Sequence, residues 1–551
     1  MPAIARLVGG AGTGKTSALL ETMAKVIEAG TGDGFGMDPD RIGFVSFTRA
    51  ARKEAAERAA EQFGCTHEDL RWFRTLHSIC YQALGVGQEL LTENRDSQKW
   101  IAEAIQEPVD TIGESEDGEV LAAFEGHSDA ATALSLWGAA RNRLEPFDDA
   151  WRRADQCNDA TPALEWCRDI IERYETHKKI DHRCDFTDLL GRFAGWRFTL
   201  DGHDEKGPEG DVPGLPVWFL DEQQDTSKLL DSVCHRLINA PVCRFVYVVG
   251  DFFQAIYGWA GADPSLFMAW PAAKEKTMPK SWRCPKPILD LGEDILSGCS
   301  DYFDRGIAPA DHEGEIDEER KLRTALAVVD PREDWLLIAR SNFHAKRMAN
   351  LLDVRDIPWL PTKGNNFWKA PKRTKALLGM MRLEQGAPIE AAEWKAIVDI
   401  LPSKSNGTEL FVRGTKATWA KSDHKAGQPI AKLGDLRQWG ATEDLFNRIA
   451  NGSWPELIEH GDRYVSAVRE FGEDAIAKPG VQVGTVHSVK GAEAENVVVL
   501  TTTSEPVARS RETTEGDDEE RRVAYVAVTR TKRRLIVVNE KGKQNTMEIE
   551  P

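Results

Sequence analysis

The chain has 551 residues, which is enough for more than one hydrophobic core and predicts several globular units. Hydrophobic residues make up 41% and charged residues 29% of the sequence, so a chain that is disordered throughout is excluded, and no apolar run reaches the length of a membrane span. The net charge of −19 argues only weakly against a nucleic-acid partner, because an acidic exterior can coexist with a basic cleft.

The first predicted strand, Ile4–Val8, leads into the glycine-rich segment Gly9–Thr16, and a predicted helix, Ser17–Ala29, follows it. Glycines allow backbone N–H groups to close around phosphate oxygens, the Lys15 ammonium reaches the outer phosphates, and the Thr16 hydroxyl can ligate Mg²⁺. For this segment taken alone, the alternative is a turn that only joins a strand to a helix. The segment predicts a binding site for a nucleoside triphosphate.

A second strand and helix follow at Ile42–Phe47 and Ala50–Gln62, and this alternation predicts a parallel sheet with helices on its faces. The pattern is then helical over Thr92–Lys179, with an acidic break at Gly113–Glu119, which predicts a helical insertion in the sheet domain. The Pro- and Gly-containing segment Asp201–Pro216 is predicted to be a surface loop.

The apolar strand predicted at Val217–Leu220 ends in two carboxylates, Asp221 and Glu222. ATP hydrolysis requires that Mg²⁺ is held from both sides and that a water molecule is aimed in line with the γ-phosphate. A buried strand that places Asp221 at the metal and Glu222 at the water supplies the second metal ligand and the water-orienting carboxylate, which the glycine-rich segment lacks. The two segments together predict ATP hydrolysis.

The remaining chain predicts a second α/β region that is interrupted by a helical, loop-rich segment. Its predicted elements are the helix Pro285–Leu296 and the strands Trp335–Ile338, Val481–Val486, Val497–Leu500 and Leu535–Asn539. We therefore predict an α/β fold with two parallel-sheet domains, each with a mainly helical insertion. The predicted bounds are residues 1–90 with 185–277 and an insertion at 91–184, then residues 278–360 with 479–551 and an insertion at 361–478.

Several short segments along the chain follow the motif order of one family. They are Phe47–Ala51, Thr75–Cys80, Asp221–Thr226, Val249–Gly258, Trp282–Pro285, Thr485–Glu493, Glu520–Arg522 and Tyr525–Arg530. Together with the phosphate loop, they resemble the motifs of superfamily 1 DNA helicases of the UvrD/Rep type, over both sheet-forming halves. The resemblance implies two RecA-like P-loop NTPase domains.

The resemblance also implies roles for individual residues. Catalysis maps to Lys15, Glu222, Gln254, Arg283 and Arg530, where Gln254 senses the γ-phosphate and the two arginines stabilise its charge. Nucleotide contacts map to Gly12, Gly14, Lys15, Thr16, Ser17, Trp282 and Glu493, and Mg²⁺ ligands to Thr16 and Asp221. Trp282 stands where a Tyr usually stacks on adenine, and Glu493 where the nucleotide sugar is contacted.

Contacts to single-stranded DNA are expected from hydroxyl groups that face the backbone and from aromatic rings that stack on bases. The family motifs place them at Phe47, Thr48, Thr75, His77, Tyr257, Trp259, Thr485 and His487. For a single aromatic such as Trp259 the alternative is a core side chain, and both histidines could be structural.

Three departures from the family pattern are visible. The segment that normally precedes the phosphate loop and carries an adenine-reading glutamine is missing, an Ala stands at position 260 in place of the usual Arg, and the insertion at 361–478 is short. That insertion nevertheless holds two basic stretches with aromatic residues, which are candidates for duplex contact or for a solvated helix face. They are Lys363, Lys369, Lys372, Arg373 and Lys375 around Phe367 and Trp368, and Arg413, Lys416, Lys421, Lys425 and Lys432 around Trp419.

The resemblance implies an ATP- and Mg²⁺-dependent DNA helicase that travels 3′ to 5′ on single-stranded DNA. Two alternatives stay open: a translocase that strips proteins or drives a partner nuclease with little unwinding, and an ATPase-dead DNA-binding scaffold. Expected partners are single strands, single/double-strand junctions and a nuclease, repair or replication protein, with no membrane and a monomeric chain. The nine scattered cysteines and the start of the chain predict a reduced, intracellular protein. With the family resemblance, we expect the cytoplasm of a bacterial or phage-infected cell.

Overall fold

The computed structural model describes residues 2–29, 37–47, 49–87, 89–92, 94–109, 128–421, 429–540 and 545–550. The chain divides into two compact units. The first comprises Met1–Glu318, Val486–Glu493 and Thr501–Pro551, and the second comprises Glu319–Thr485 and Ala494–Leu500.

The N-terminal part of the first unit alternates strands and helices as predicted. Its elements are β1 (Ala3–Val8), α1 (Lys15–Ala29), β2 (Ile42–Val45), α2 (Arg49–Phe63), β3 (Phe73–Arg74), α3 (Leu76–Leu84) and α4 (Arg95–Ile105). The elements that follow are α5 (Asp129–Arg143), α6 (Phe147–Cys157), α7 (Leu164–Ile180), α8 (Phe186–Ala194), β4 (Trp196–Thr199), β5 (Gly202–Glu205), β6 (Val217–Leu220), α9 (Lys228–Ile238), β7 (Phe245–Gly250), α10 (Pro264–Ala269), β8 (Lys274–Thr277), α11 (Lys286–Ser297) and β9 (Glu315–Glu319).

The second unit is richer in helices. Its elements are α12 (Leu322–Ala325), β10 (Trp335–Ala339), α13 (Asn342–Asp353), β11 (Leu360–Pro361), α14 (Pro371–Glu384), β12 (Ile389–Glu390), α15 (Ala391–Ile400), β13 (Lys404–Ser405), β14 (Thr408–Glu409), α16 (Thr415–Ala420), β15 (Pro429–Ala431), α17 (Glu443–Ala450), α18 (Gly461–Phe471), α19 (Glu473–Ala477), β16 (Val481–Thr485) and β17 (Ala494–Leu500). The chain then adds α20 (Glu505–Ser510), α21 (Thr514–Val528) and β18 (Thr531–Val538) to the first unit.

The sheet of the first unit is parallel and has the strand order β3-β2-β6-β7-β1-β8. Its central strand β6 is buried on both faces, because Val217 and Phe219 pack on one side and Trp218 and Leu220 on the other. Helices α1 and α2 cover the first side, and α3, α8 and α9 cover the second. The carboxyl ends of β1, β6 and β7 therefore meet at one edge of the sheet.

Helices α4–α7 have a core of their own around Trp137 and Phe147. They match the predicted helical stretch, whose acidic break at Gly113–Glu119 lies outside the described residues. The prediction of a simple loop at Asp201–Pro216 was wrong in part, because β5 pairs with β4 as an antiparallel hairpin. The Pro- and Gly-containing composition concealed this short strand.

In the second unit, four strands are parallel in the order β11-β16-β10-β17. The helices α14–α19 pack around a separate core that includes Trp394, Trp454 and Tyr464. Within the described ranges, no helix is long and apolar enough to cross a membrane. The chain forms two six-stranded, mostly parallel sheets with helices, which confirms the α/β fold class with RecA-like sheet domains.

Candidate functional site

The phosphate loop joins β1 to α1, and its backbone requires glycine. Gly12 and Gly14 have φ angles of 66° and 82°, in the left-handed region that favours glycine. A Cβ atom on Gly12 would lie 2.3 Å from the Cβ of Arg283. Helix α1 begins at Lys15, whose Nζ donates to the carbonyl oxygen of Gly10 at 3.3 Å. The loop therefore places a buried ammonium group and a helix N-terminus where phosphates would bind.

The predicted metal ligands lie together. The Thr16 hydroxyl donates to Oδ2 of Asp221 at 3.1 Å. Burial, and then the neighbouring Glu222 carboxylate, raise the pKa of Asp221 to about 7. Hydroxyl and carboxylate oxygens are the ligands that Mg²⁺ prefers, and a bound cation would stabilise the ionised form of this buried acid. The donor set fits Mg²⁺.

Glu222 follows Asp221 with a φ of 53°, which turns the chain sharply after β6. Its carboxylate accepts a hydrogen bond from the side-chain amide of Gln224. Burial alone would raise the pKa of Glu222, but the Lys15 and Lys490 ammonium groups lower it below its usual value. Glu222 is therefore a carboxylate at neutral pH, able to accept a hydrogen bond from a water molecule.

Lys490 joins several predicted site residues. Its Nζ pairs with the buried carboxylate of Asp225, donates to the backbone oxygen of Gln254 at 2.7 Å and lies 5.0 Å from the ring centroid of Tyr257. Among the described residues, the buried Nε2 of Gln254 has no hydrogen-bond partner. A buried amide without a partner is costly, so this nitrogen is suited to a phosphate oxygen.

The arginine that precedes β18 is almost fully buried. Arg530 is 2% exposed, and its guanidinium donates to the backbone oxygens of Val526 at 2.9 Å and Ala492 at 3.3 Å. Its Nη2 has no partner within the described ranges. Burial, and then repulsion from Arg283, lower the pKa of Arg530 to about 10. A buried cation beside a second cation is costly, so this arrangement favours an anionic ligand.

Arg283 lies against the phosphate loop. The backbone N–H of the preceding Trp282 donates to the carbonyl oxygen of Gly12 at 2.8 Å. The Arg283 Nε donates to Glu493 at 2.6 Å, and the same carboxylate pairs with Lys532 at 2.9 Å. The structure thus brings Arg283 and Glu493 together at the predicted nucleotide site.

Of the two remaining predicted nucleotide contacts, Trp282 is exposed and Ser17 is hydrogen-bonded within the protein. Trp282 is 68% exposed beside the loop, and this exposure leaves ring surface accessible for stacking on a base. The Lys280 ammonium lies over its ring, 4.8 Å from the centroid. The Ser17 hydroxyl instead accepts a hydrogen bond from Arg58 on α2 at 2.7 Å.

Four of the predicted strand contacts in the first unit form one aromatic group. Phe47 stacks on Tyr257 with 5.4 Å between ring centroids, and the Tyr257 hydroxyl donates to the backbone oxygen of His487 at 3.4 Å. The His487 ring also faces Trp259 at 6.5 Å, edge to face. Trp259 is 37% exposed, so it is not the core side chain that was its alternative. We name Phe47, Tyr257, Trp259 and His487 the aromatic group.

The other predicted strand contacts are less accessible or lie elsewhere. Thr75 is buried and caps α3, since its hydroxyl accepts from the backbone N–H of Ser78 at 3.3 Å. His77 packs edge-on against Phe186 at 5.9 Å, and burial, then Arg49, lower its pKa to about 4. Thr485 ends β16 in the second unit. Thr48 lies outside the described residues.

The turn that follows Tyr257 contains Ala260, which is buried and carries no cation. A guanidinium nevertheless reaches this turn from α5, because Arg143 donates to the carbonyl oxygen of Gly258 at 2.6 Å. On the other side, Glu519 of α21 accepts from the backbone N–H of Trp259 at 3.2 Å. Arg143 and Glu519 therefore fix the backbone that carries the exposed Trp259.

The basic stretches of the second unit do not present the aromatic residues that the sequence suggested. Trp368 and Trp419 are buried in the helical core, and Phe367 packs against it. Their charged neighbours Lys372 and Lys421 are exposed. Base stacking by Trp368 or Trp419 is thereby excluded in this conformation, while contact through charge is not.

Sequence reasoning missed Lys490 and Arg143. Lys490 lies inside the motif-like segment Thr485–Glu493, so its position was the available signal. Arg143 carried none, because it belongs to the helical insertion, more than a hundred residues before the turn that it contacts.

Comparisons with known proteins agree with the motif order. A sequence model of the UvrD/REP helicase N-terminal domain matches residues 4–273, and one of the UvrD-like helicase C-terminal domain matches residues 462–542. The putative ATP-dependent DNA helicase YjcD of Bacillus subtilis (strain 168) is 23% identical, over 98% of this chain and 77% of its own. The ATP-dependent DNA helicases PcrA of Staphylococcus epidermidis and Staphylococcus aureus are 22% and 21% identical, over 97% of this chain and 81% and 80% of theirs.

Proposed function

Because the chain belongs to the UvrD/Rep helicase family, we propose that it is an ATP-dependent DNA helicase that travels 3′ to 5′ along single-stranded DNA and unwinds duplex ahead of it. The observation that carries the proposal is a set of buried polar groups around the phosphate loop without enough partners of their own. Gln254 Nε2 and Arg530 Nη2 have none among the described residues, and Lys15 contacts only a carbonyl oxygen there.

These groups suit a triphosphate and its hydrolysis. The loop amides and Lys15 would bind the phosphates, and Glu222, kept ionised by Lys15 and Lys490, would orient the attacking water. Thr16 and Asp221 would hold Mg²⁺, which neutralises charge on the β- and γ-phosphate oxygens when bound. Arg283 and Arg530 would stabilise the charge that develops on the γ-phosphate.

The aromatic group supports a strand-binding surface beside this site. Exposed Trp259 offers a flat face for a base, as aromatic residues do in proteins that bind single strands, and the half-buried Tyr257 lies beside it. Lys490 contacts Tyr257 on one side and Asp225 and Gln254 on the other. A strand that shifts Tyr257 would therefore act on the hydrolytic groups through Lys490.

Movement along the strand requires two parts that approach and separate. We propose that these two parts are the predicted domains, residues 1–90 with 185–277 and residues 278–360 with 479–551. The γ-phosphate of bound ATP would link them, and hydrolysis would release this link. Disrupting one base-pair step costs about 1.4 kcal/mol of stacking on average, well within the free energy of ATP hydrolysis. Exposed Lys372 and Lys421 would contact duplex phosphates through charge alone.

The second candidate is a translocase that strips proteins from single strands or drives a partner nuclease with little unwinding. Ala260, where the family pattern has an Arg, favours it, because the turn beside Trp259 loses one cation of its own. An ATPase-dead scaffold is disfavoured, since a chain without hydrolysis has no need for Glu222, Gln254 and both arginines around one loop.

The deciding experiment compares duplexes with a 3′ or a 5′ single-stranded tail. We expect ATP-dependent strand separation with the 3′-tailed duplex only. Displacement of streptavidin from a biotinylated single strand, without strand separation, would instead support the translocase. Separation of the 5′-tailed duplex alone would contradict the proposed polarity.

A further inference from the structure

A buried arginine outside the predicted site contacts three functional segments of the first unit. The Arg305 side chain is 1% exposed, and its guanidinium donates to Asp251 at 2.7 Å and to Glu293 at 2.5 Å. It also lies over the rings of Phe253, at 4.8 Å, and Tyr525, at 5.2 Å. Nothing in the sequence pattern marks this residue.

Tyr525 extends the contact to the phosphate loop. Its hydroxyl accepts a hydrogen bond from the backbone N–H of Ala11 at 3.1 Å. A Cβ atom on Gly10 would lie 3.6 Å from both the Tyr525 hydroxyl and an Arg305 nitrogen. The two side chains therefore lie directly against the loop that precedes Lys15.

The far ends of these contacts belong to the strand-binding and hydrolytic segments. Asp251 directly follows β7, and its carboxylate accepts from the backbone N–H of Phe253, just before Gln254 and Tyr257. Tyr525 stands on α21, and Arg530 follows the end of that helix. Arg305 therefore contacts two segments. Through Asp251 it contacts the segment proposed to bind single-stranded DNA, and through Tyr525 it contacts α21, the helix that leads to Arg530.

The Arg305–Asp251 pair is incompletely satisfied. Within the described part of the chain, Nε of Arg305 and Oδ2 of Asp251 have no partner, although both are buried. At present one guanidinium nitrogen donates to each carboxylate. A bidentate Arg305–Asp251 pair would also use Nε and Oδ2, so the two side chains have a second possible pairing geometry.

We propose that Arg305 and Tyr525 are positioning residues that transmit strand binding at Tyr257 and Trp259 to the phosphate loop. This rests on the proposed strand-stimulated ATP hydrolysis. Displacement of the 251–259 segment changes how Asp251 holds Arg305, and Arg305 sets the place of the Tyr525 hydroxyl that holds Ala11. The loop is then fixed in its productive shape when the strand is bound.

The test uses Tyr525→Phe, which keeps the ring over Arg305 and removes the hydroxyl that holds Ala11. ATP turnover of the full chain is measured with and without saturating oligo-dT, giving kcat and KM for each condition. We expect the stimulation of kcat by oligo-dT to fall about three- to tenfold, the range for one hydrogen bond, with an unchanged melting temperature. Tyr247→Phe, whose ring stacks on Phe219 at 4.8 Å away from this contact, is the matched control and keeps wild-type stimulation.

A double-mutant cycle separates transmission from a merely structural effect. If one path carries the signal, Tyr525→Phe combined with Tyr257→Ala lowers the stimulation no further than the stronger single change. Arg305→Lys, which keeps the charge but not the two-carboxylate bridge, provides a second route and loses stimulation in the same way.

Equal stimulation of Tyr525→Phe and wild type, or effects that multiply in the double variant, would overturn the inference while leaving the ATPase intact. Absence of stimulation in the wild-type protein would instead overturn the proposed function itself.

Discussion

Two buried groups of charge in the first unit differ in how completely they are paired. Between α5, α7 and α8, Lys178 contacts Asp185 at 3.1 Å and Asp188 at 2.7 Å, and Arg141 contacts Asp185 at 2.9 Å. At the phosphate loop, Arg530 is equally buried, but within the described part of the chain it donates only to backbone oxygens.

The pKa shifts express the same difference. Burial disfavours the charged forms of Arg141, Lys178 and Arg530. Asp185 and Asp188 nevertheless raise the pKa values of Arg141 and Lys178 above those of free side chains. Around Arg530 the nearby acids do not offset burial and Arg283, so its pKa falls to about 10. The paired group contributes to the fold, whereas the underpaired group is suited to a ligand.

The largest effect on ATP turnover is expected at Arg530. Changing Arg530→Ala removes a cation proposed to stabilise γ-phosphate charge, so strand-stimulated kcat should fall about a thousandfold while the protein stays folded. Arg533→Ala, an exposed arginine three residues on, is the control. A variant that loses stability but keeps its turnover would place Arg530 with the structural group instead.

The paired group should show the opposite behaviour. Changing Lys178→Met leaves the carboxylates of Asp185, Asp188 and the neighbouring Glu175 with Arg141 as their one cation among the described residues. The free energy of unfolding should therefore fall by about 3–5 kcal/mol in urea titrations. Exposed Lys179→Met is the matched control and should change it by less than about 0.5 kcal/mol. A drop in kcat for Lys178→Met at temperatures where it is folded would contradict the purely structural assignment.

A smaller effect is expected at the turn that lacks its own cation. Arg143→Gln removes the donor to Gly258, so the affinity for fluorescent oligo-dT should weaken about three- to tenfold. Exposed Arg152→Gln on α6 controls for lost positive charge. If both variants weaken binding equally, Arg143 acts through general charge and not through the turn.

A further prediction concerns the dependence of stability on pH. Burial lowers the pKa of His77 to about 4, below the value of 6.5 in an unfolded chain, so its contribution to stability is present above pH 6.5 and is lost as the pH falls towards 4. Thermal unfolding of His77→Gln should therefore depend less on pH than that of wild type between pH 6.5 and 4. Identical pH profiles would show that His77 is not the titrating group.

The sequence predicted those parts of the site that lie on consecutive residues. Gly9–Thr16 and Asp221–Glu222 each follow an apolar strand, and parallel strands bring their ends to one edge, so the loop and the carboxylates could be foreseen. The same local logic gave the α/β class, which the two sheets confirm.

The remainder depends on tertiary packing that no local pattern records. Arg305 and Arg143 reach the site from segments far along the chain. Trp368 and Trp419 stand among basic residues yet are buried, since a charge run does not show which face of a helix packs inward. The β4–β5 hairpin was concealed by the loop-like composition around it.

Strand-stimulated ATP turnover of Glu222→Gln, measured beside wild type, decides whether the site at the phosphate loop hydrolyses ATP as proposed. We expect that oligo-dT stimulates the wild-type protein, and that the variant binds ATP with similar affinity but turns over at least about a hundredfold more slowly. Undiminished turnover in the variant would contradict the role of Glu222 in orienting the water.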